Sequence, residues 1–202
     1  MKDIVLIRHG STDWNKNNKV QGRNNIELNQ DGINQINSII PFIKIFNPDS
    51  LFCSPIKRAM QSAEIISTAI NVKIIEMDEF MEINVGEWQG KSGADLLSLR
   101  SWNIYLNDPE KAHPEDGESF INFHNRVVNG FEAILKIKKN KVLIVTHSDV
   151  IRVIICYALN LPLVRIHSFK INLGSVSRIN YDKNKIQIAN LNYPLALMKG
   201  KL

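Results

Sequence analysis

Ile4-Val5-Leu6-Ile7-Arg8-His9-Gly10-Ser11-Thr12-Asp13-Trp14-Asn15 begins as an apolar run rich in β-branched residues and turns abruptly polar at Arg8. A short run of this kind reads as a strand buried on both faces, ending where the basic pair begins. The same grammar returns at Val142-Leu143-Ile144-Val145-Thr146, which delivers His147 and then Ser148-Asp149-Val150-Ile151-Arg152. Two of the chain's five histidines therefore stand just past the ends of buried strands. In open α/β sheets ligands bind at the carboxyl edge of the strands, so the two histidines are expected to be neighbours in space.

Outward from these two runs, strand and helix signals alternate, the pattern of a parallel sheet with crossover helices. Residues 3–8 predict a strand. Residues 31–46 predict a helix with Ile33, Ile36, Ile40 and Ile43 on its apolar stripe, kinked at Pro41, where a backbone donor is missing. Residues 51–54 predict a second strand, 57–70 a helix opening after Pro55, and 72–76 a third strand. A less regular stretch holding Trp88, Trp102 and Pro114 follows. Ser119 then predicts the cap of a long helix whose Phe120, Phe123, Val127, Phe131 and Leu135 face the core. The strand ending at Thr146 and a helix over 148–161 come next. Two strands over 176–181 and 186–191, turned by Asp182-Lys183-Asn184, should pair as an antiparallel hairpin. The expectation is an α/β fold, mostly parallel with an antiparallel edge, in a single domain over residues 1–202 without repeat or linker.

Composition is that of an ordinary soluble protein, 44% hydrophobic and 22% charged. Two distant cysteines, Cys53 and Cys156, suggest neither a disulfide framework nor a metal cluster, and point to a reducing compartment. The amino terminus lacks the apolar core of a signal peptide, and the apolar stretch from Val150 to Leu163 is interrupted by Arg152 and Pro162. The expected location is cytoplasmic, with no membrane partner. The net charge of +5 is dispersed; its densest run, Lys136 to Lys141, sits at a predicted helix end, where lysines complement the dipole. No aromatic interleaving or RNA-binding motif accompanies it, so no nucleic-acid partner is implied.

The chemistry gathers at the loop edge of the sheet, where Arg8, His9, Arg58, Glu82 and His147 follow apolar runs. Guanidinium groups bind phosphate or carboxylate oxygens in a planar fork, and their charge favours neutral imidazole nearby. A neutral imidazole oriented through one nitrogen can attack with the other. Phosphoryl transfer needs mainly positioning and charge stabilisation, which Arg8, Arg58 and His147 could supply. Glu82 is then the candidate to protonate the leaving oxygen and later activate water. Metal ligation by His9 and His147 with Glu82 or Asp149 is disfavoured, because two arginines would repel a cation, so no metal or cofactor is expected.

Arg8-His9-Gly10-Ser11-Thr12-Asp13-Trp14-Asn15 resembles the RHG-x-T/S-x-x-N signature of the histidine phosphatase superfamily, the phosphoglycerate mutase-like fold. Further landmarks arrive in that family's order: Gln21-Gly22, Leu28 with Gly32, Ser54-Pro55 through Arg58-Ala59, Glu82 with Gly86-Glu87-Trp88-Gln89-Gly90, and His147. Gly117-Glu118-Ser119 resembles an element of the phosphatase and cobalamin-pathway branches. Five ordered motifs spanning nearly the whole chain carry far more weight than the tripeptide alone. The resemblance implies a three-layer αβα sandwich. It implies His9 as a nucleophile that becomes phosphohistidine, Arg8, Arg58 and His147 as clamps on the phosphoryl oxygens, and Glu82 as acid and then base. Thr12 and Asn15 match positions that contact phosphate or shape its pocket, and Gln21 with Gly22 matches the adjacent substrate loop. The backbone of Ser148 would donate a further hydrogen bond to phosphate, as helix amino termini do.

The sequence departs from the family pattern in places. Ser148-Asp149 replaces the common glycine-containing pair and puts a carboxylate near an anion site. Cys53 stands for a frequent serine, Ser62 for threonine, Asn24 for an acidic residue and Asn29 for a hydroxyl residue, where asparagine still caps. The family's cofactor-dependent mutases carry a longer insertion between acid and second histidine and a longer covering tail. Here residues 83–146 and a short tail take those places, so water should reach the intermediate and hydrolysis of a small phosphomonoester is expected over mutase activity. The 108–119 region resembles both α-ribazole and broad-specificity phosphatases. A regulatory phosphate-binding module that lost turnover is the reading from another class. Lys16, Lys19, Arg23, Trp88 and residues 91–116 are expected to line or flank the mouth, and the chain to act on a small phosphorylated metabolite as a monomer or homodimer.

Overall fold

Every residue from Ile4 to Ile7 has its side chain fully removed from solvent, which only a central strand covered on both faces can achieve. In a computed structural model, which describes residues 1–193, this run is the heart of β1 (Lys2–Arg8). The tail from residue 194 onward lies outside the described residues. The remaining strands are β2 (Ser50–Cys53), β3 (Ile74–Glu76), β4 (Lys141–Thr146), β5 (Val176–Asp182) and β6 (Lys185–Tyr193). They form one six-stranded sheet in the order β3-β2-β4-β1-β5-β6. The first four are mutually parallel; β5 runs antiparallel to β1, and β6 antiparallel to β5. The expected mixed sheet is therefore present, and β1 lies beside the much later β4 with Arg8 opposite Thr146.

Alternation along β1 divides the core into two layers. Val5 and Ile7 pack with α2 (Gln30–Phe46) and α3 (Lys57–Ile70), while Ile4 and Leu6 share a cluster with α6 (Phe120–Lys136) and α7 (Ser148–Ala158). Helices thus cover both faces, as the three-layer reading requires. Shorter helices α1 (Asp13–Lys16), α4 (Gly93–Leu96) and α5 (Arg100–Asn107) lie on the connections.

Several boundaries and faces differ from expectation. The buried stripe of α2 is Ile36, Ile39, Ile43 and Phe46, with Ile33 and Ile40 half-buried. Both stripes share Ile36 and Ile43; the structure takes the i+3 neighbour where the sequence offered the i+4. For the same reason Ile134, not Leu135, is buried near the end of α6. α2 is one continuous helix through Pro41, which sits on its exposed side. β3 begins at Ile74, and α7 closes at Ala158, short of Leu161. The last hairpin turns on Lys183 and Asn184, both at positive φ; a two-residue turn of that hand matches the twist of the paired strands. Among the described residues no helix is long and apolar enough to cross a membrane.

Candidate active site

The carboxyl ends of β1, β2 and β4 lie side by side and continue their pairing one residue past the strands. His9 N–H donates to Thr146 O at 2.9 Å and Ser54 N–H to Val145 O at 3.0 Å. This places the His9 and His147 rings 5.2 Å apart, centroid to centroid. The turn after His9 is tight because Gly10 packs on Gly32 of α2; a Cβ on Gly10 would meet Gly32 O at 2.4 Å. Gly10 N–H donates to Ser62 Oγ at 3.2 Å, and that hydroxyl donates to Arg58 O at 2.7 Å. Ser62 thus joins the turn after His9 to the first turn of α3, a role beyond packing.

His9 is 2% exposed and its Nδ1 lies 2.7 Å from Gly10 O. A carbonyl can only accept, so Nδ1 carries the hydrogen and Nε2 keeps the lone pair. Arg58 Nε donates to that Nε2 at 3.1 Å. The rest of the Arg58 guanidinium is pinned by Asn24 O at 3.0 Å and Gly22 O at 2.7 Å. Arg8 donates to Ile171 O at 2.6 Å, and its buried Nε has no partner among the described residues. His147 Nε2 pairs with Ser54 Oγ at 2.8 Å, while its buried Nδ1 likewise has no partner among the described residues. Buried donors without partners are costly unless a ligand completes them.

Electrostatics follow from burial and from the two arginines. Desolvation, then the Arg58 charge, hold both imidazoles well below the usual histidine range, so both are neutral at physiological pH. Burial brings Arg8 and Arg58 down to about 10, which leaves both charged near neutrality. Glu82 is pushed up to about 7, by burial first and the Asp149 carboxylate second, against the opposing pull of Arg58 and Arg8. Its carboxylate accepts from Ile83 N–H at 3.1 Å and meets Asp149 N–H at 3.5 Å. Asp149 is itself held by Tyr105 OH at 3.0 Å and Arg152 at 2.8 Å.

These groups line a cavity of about 230 Å³. Of the residues named from sequence, Arg8, His9, Asn15, Gln21, Gly22, Arg58, Glu82 and Ser148 face it, with Lys19 and Trp88 from the expected mouth. Thr12 and His147 do not: both are fully buried. Thr12 caps α1 and so holds Asn15, which lines the cavity: its Oγ1 accepts from Asn15 N–H at 3.2 Å while the Asn15 side-chain Oδ1 accepts from Thr12 N–H at 3.1 Å. Lys16 and Arg23 lie off the cavity wall, and from residues 91–116 only Trp102 and Tyr105 reach it. Sequence reasoning placed Tyr105 at the mouth only as part of the 91–116 stretch and missed Arg152 as a lining residue; the one available signal was Asp149, the misplaced carboxylate they both hold. Among the described residues, no group of three or more His, Cys, Asp or Glu side chains is arranged to hold a metal ion.

The family model described as histidine phosphatase superfamily (branch 1) matches residues 4–194. The chain is 33% identical over 156 residues to an uncharacterized phosphatase, PhoE, of Bacillus subtilis, covering 77% of this chain and 76% of that one. It is 28% identical over 195 residues to phosphoserine phosphatase 1 of Hydrogenobacter thermophilus, covering 95% and 92%. In fold it matches the crystal structure of a putative α-ribazole-5′-P phosphatase from Escherichia coli with a TM-score of 0.88 at 24% identity, over 95% of this chain and 96% of that one.

Proposed function

Because the chain belongs to branch 1 of the histidine phosphatase superfamily, we propose that it hydrolyses a small phosphomonoester through a phosphohistidine on His9. One observation carries this reading: the Gly10 carbonyl fixes the His9 tautomer, leaving the Nε2 lone pair in the cavity wall beside Arg58 and in the same cavity as Glu82. Nε2 gives up the Arg58 N–H, which turns to a phosphoryl oxygen, and attacks phosphorus in line as the bond to the leaving oxygen breaks. Arg8, Arg58 and the Ser148 N–H at the start of α7 hold the equatorial oxygens, with the His147 ring packed behind His9. The Nδ1–H bond to Gly10 O supports the positive charge that develops on the imidazole.

Glu82, a carboxylic acid up to about pH 7, gives its proton to the leaving oxygen. The resulting carboxylate then takes a proton from the water that attacks the phosphohistidine, releasing phosphate and restoring both groups. Asn15, Gln21 and Gly22 border the same space and would orient the rest of the substrate. Only residues 83–146 separate Glu82 from His147, without the longer insertion expected of the mutases, which favours hydrolysis over transfer back to a second metabolite. The free, buried Cys53 and Cys156 fit a reducing compartment such as the cytoplasm.

Phosphate release from an aryl phosphate, with and without chelator, followed by a panel of phosphorylated metabolites, tests the proposal. Chelator-insensitive release is expected. Transfer of the phosphoryl group to an added metabolite without free phosphate would replace hydrolysis with the mutase reading. Binding without turnover would replace it with a regulatory role.

A further inference from the structure

Gly117-Glu118-Ser119 and Arg23 have no part in the chemistry proposed above, and neither Glu118 nor Arg23 lines the cavity. Yet Glu118 stands at the centre of a connected set of bonds around the segment that delivers Glu82. Its carboxylate accepts from Arg126 Nε at 3.0 Å and from a terminal nitrogen of Arg126 at 2.8 Å, the two-point geometry that gives arginine–carboxylate pairs their direction. The same carboxylate accepts from Arg23 at 2.9 Å and from Asn84 N–H at 3.4 Å, and Glu118 N–H donates to Asn84 O at 2.8 Å. Burial opposes the charge on Glu118, but the Arg126 bonds and the charges of Arg126 and Arg23 hold its carboxyl below the usual range.

Both arginines spend their remaining donors on the acid-bearing segment. Arg126 reaches the carbonyls of Asp78, Glu79 and Met81 at 3.1, 2.9 and 3.0 Å. Arg23 Nε donates to the carbonyl of Glu82 itself at 3.1 Å. Gly86 lets the two segments close: it sits at φ +46°, and a Cβ there would meet Glu115 O at 1.9 Å. The other side of Arg23 matters equally. Its chain neighbours Gly22 and Asn24 supply the two carbonyls that pin Arg58, and Arg58 donates to His9 Nε2.

We propose that Arg23, Glu118 and Arg126 form a positioning unit that ties the Glu82 segment to the 22–24 loop, so that acid and phosphate clamp keep one spacing. None of the three touches the reacting atoms. The inference rests on the acid role of Glu82 in the proposed function. A carboxyl group held about 1 Å out of place costs up to ~100-fold in transfer, and that cost falls only where the leaving group needs a proton.

The test compares an alkyl phosphate, which needs the proton, with p-nitrophenyl phosphate, which leaves readily without one. Arg23→Met is expected to lower kcat on the alkyl ester by about 10- to 100-fold and on the aryl ester by only a few fold. Arg23→Lys, which keeps a cation beside Glu118 but loses the fork, should fall between. In a Glu82→Gln background the Arg23→Met loss on the alkyl ester should vanish, because there is no acid left to position. Equal loss on both esters, or a loss that persists undiminished in Glu82→Gln, would overturn the positioning role while leaving the phosphatase reading intact. A wild type that releases phosphate from neither ester would overturn both. Glu118→Gln with its thermal midpoint recorded is the second variant should Arg23→Met not fold: a loss confined to the alkyl ester supports the unit, and a change in melting alone overturns it.

Discussion

The two sides of the cavity, the one with the proposed nucleophile His9 and the one with the proposed acid Glu82, are built by different means. His9, Ser54 and His147 sit at the ends of three adjacent parallel strands, and ladder hydrogen bonds fix their spacing. Glu82 lies beyond β3, after a single 3₁₀ turn at Asp78–Phe80, where no strand or long helix carries it. Its place is held by side chains: Arg126 and Arg23 donate to the carbonyls of Asp78, Glu79, Met81 and Glu82, the Glu118 carboxylate accepts from both arginines, and Asp149, held by Tyr105, meets the Glu82 carboxylate through its N–H. A ladder is cooperative and hard to shift, whereas an arrangement of side-chain contacts gives way one residue at a time. Loss of the nucleophile should therefore be absolute, and changes on the acid side should be graded and dependent on substrate.

His9→Ala has the largest expected effect: phosphate release falls below detection for alkyl and aryl esters alike, with a thermal midpoint near that of the wild type. Residual hydrolysis would place the nucleophile elsewhere. Glu82→Gln comes next, with a loss of about 10²- to 10⁴-fold on alkyl phosphates and a much smaller one on p-nitrophenyl phosphate. Equal losses would erase the difference between the two sides.

A pH profile then sharpens the comparison. The first step of the proposed mechanism needs protonated Glu82, whose pKa is raised to about 7, so kcat on an alkyl ester should fall as pH rises through that value. The histidines, held well below their ordinary range, keep the acid side of the profile flat over the same window. Asp149→Asn removes a carboxylate that raises the Glu82 pKa, so the falling limb should move to lower pH. A limb that stays put would remove Asp149 from the control of the acid. The smallest effect is expected from Ser62→Ala, which leaves Gly10 N–H without a partner at about 1–3 kcal/mol in stability, read by denaturant melts.

The same contrast explains what could be read from the sequence. β1 and β4 were legible because four consecutive apolar residues, mostly β-branched and bounded by polar ones, read as a buried strand, and Arg8-His9 and Thr146-His147 follow them. The closing hairpin was legible through its turn residues. Arg58 was found by its motif, but the two carbonyls that pin it come from the 22–24 loop, which has no periodicity. Tyr105 lies on an eight-residue helix, α5, too short for an apolar stripe to declare itself. Asp149 stood out as a departure from a pattern, yet its partners Tyr105 and Arg152 are brought to it only by tertiary packing. Thr12 sits within the signature, and its capping bonds to Asn15 come into view only in the structure.

Rapid quenching of the enzyme during turnover, followed by peptide mapping of any protein-bound phosphoryl group, tests the central claim most directly. The account predicts an acid-labile, alkali-stable phosphoryl group on His9 that forms and decays at rates compatible with turnover and persists longer in Glu82→Gln. Turnover with no phosphoryl group on His9, or with one on another residue, would contradict it.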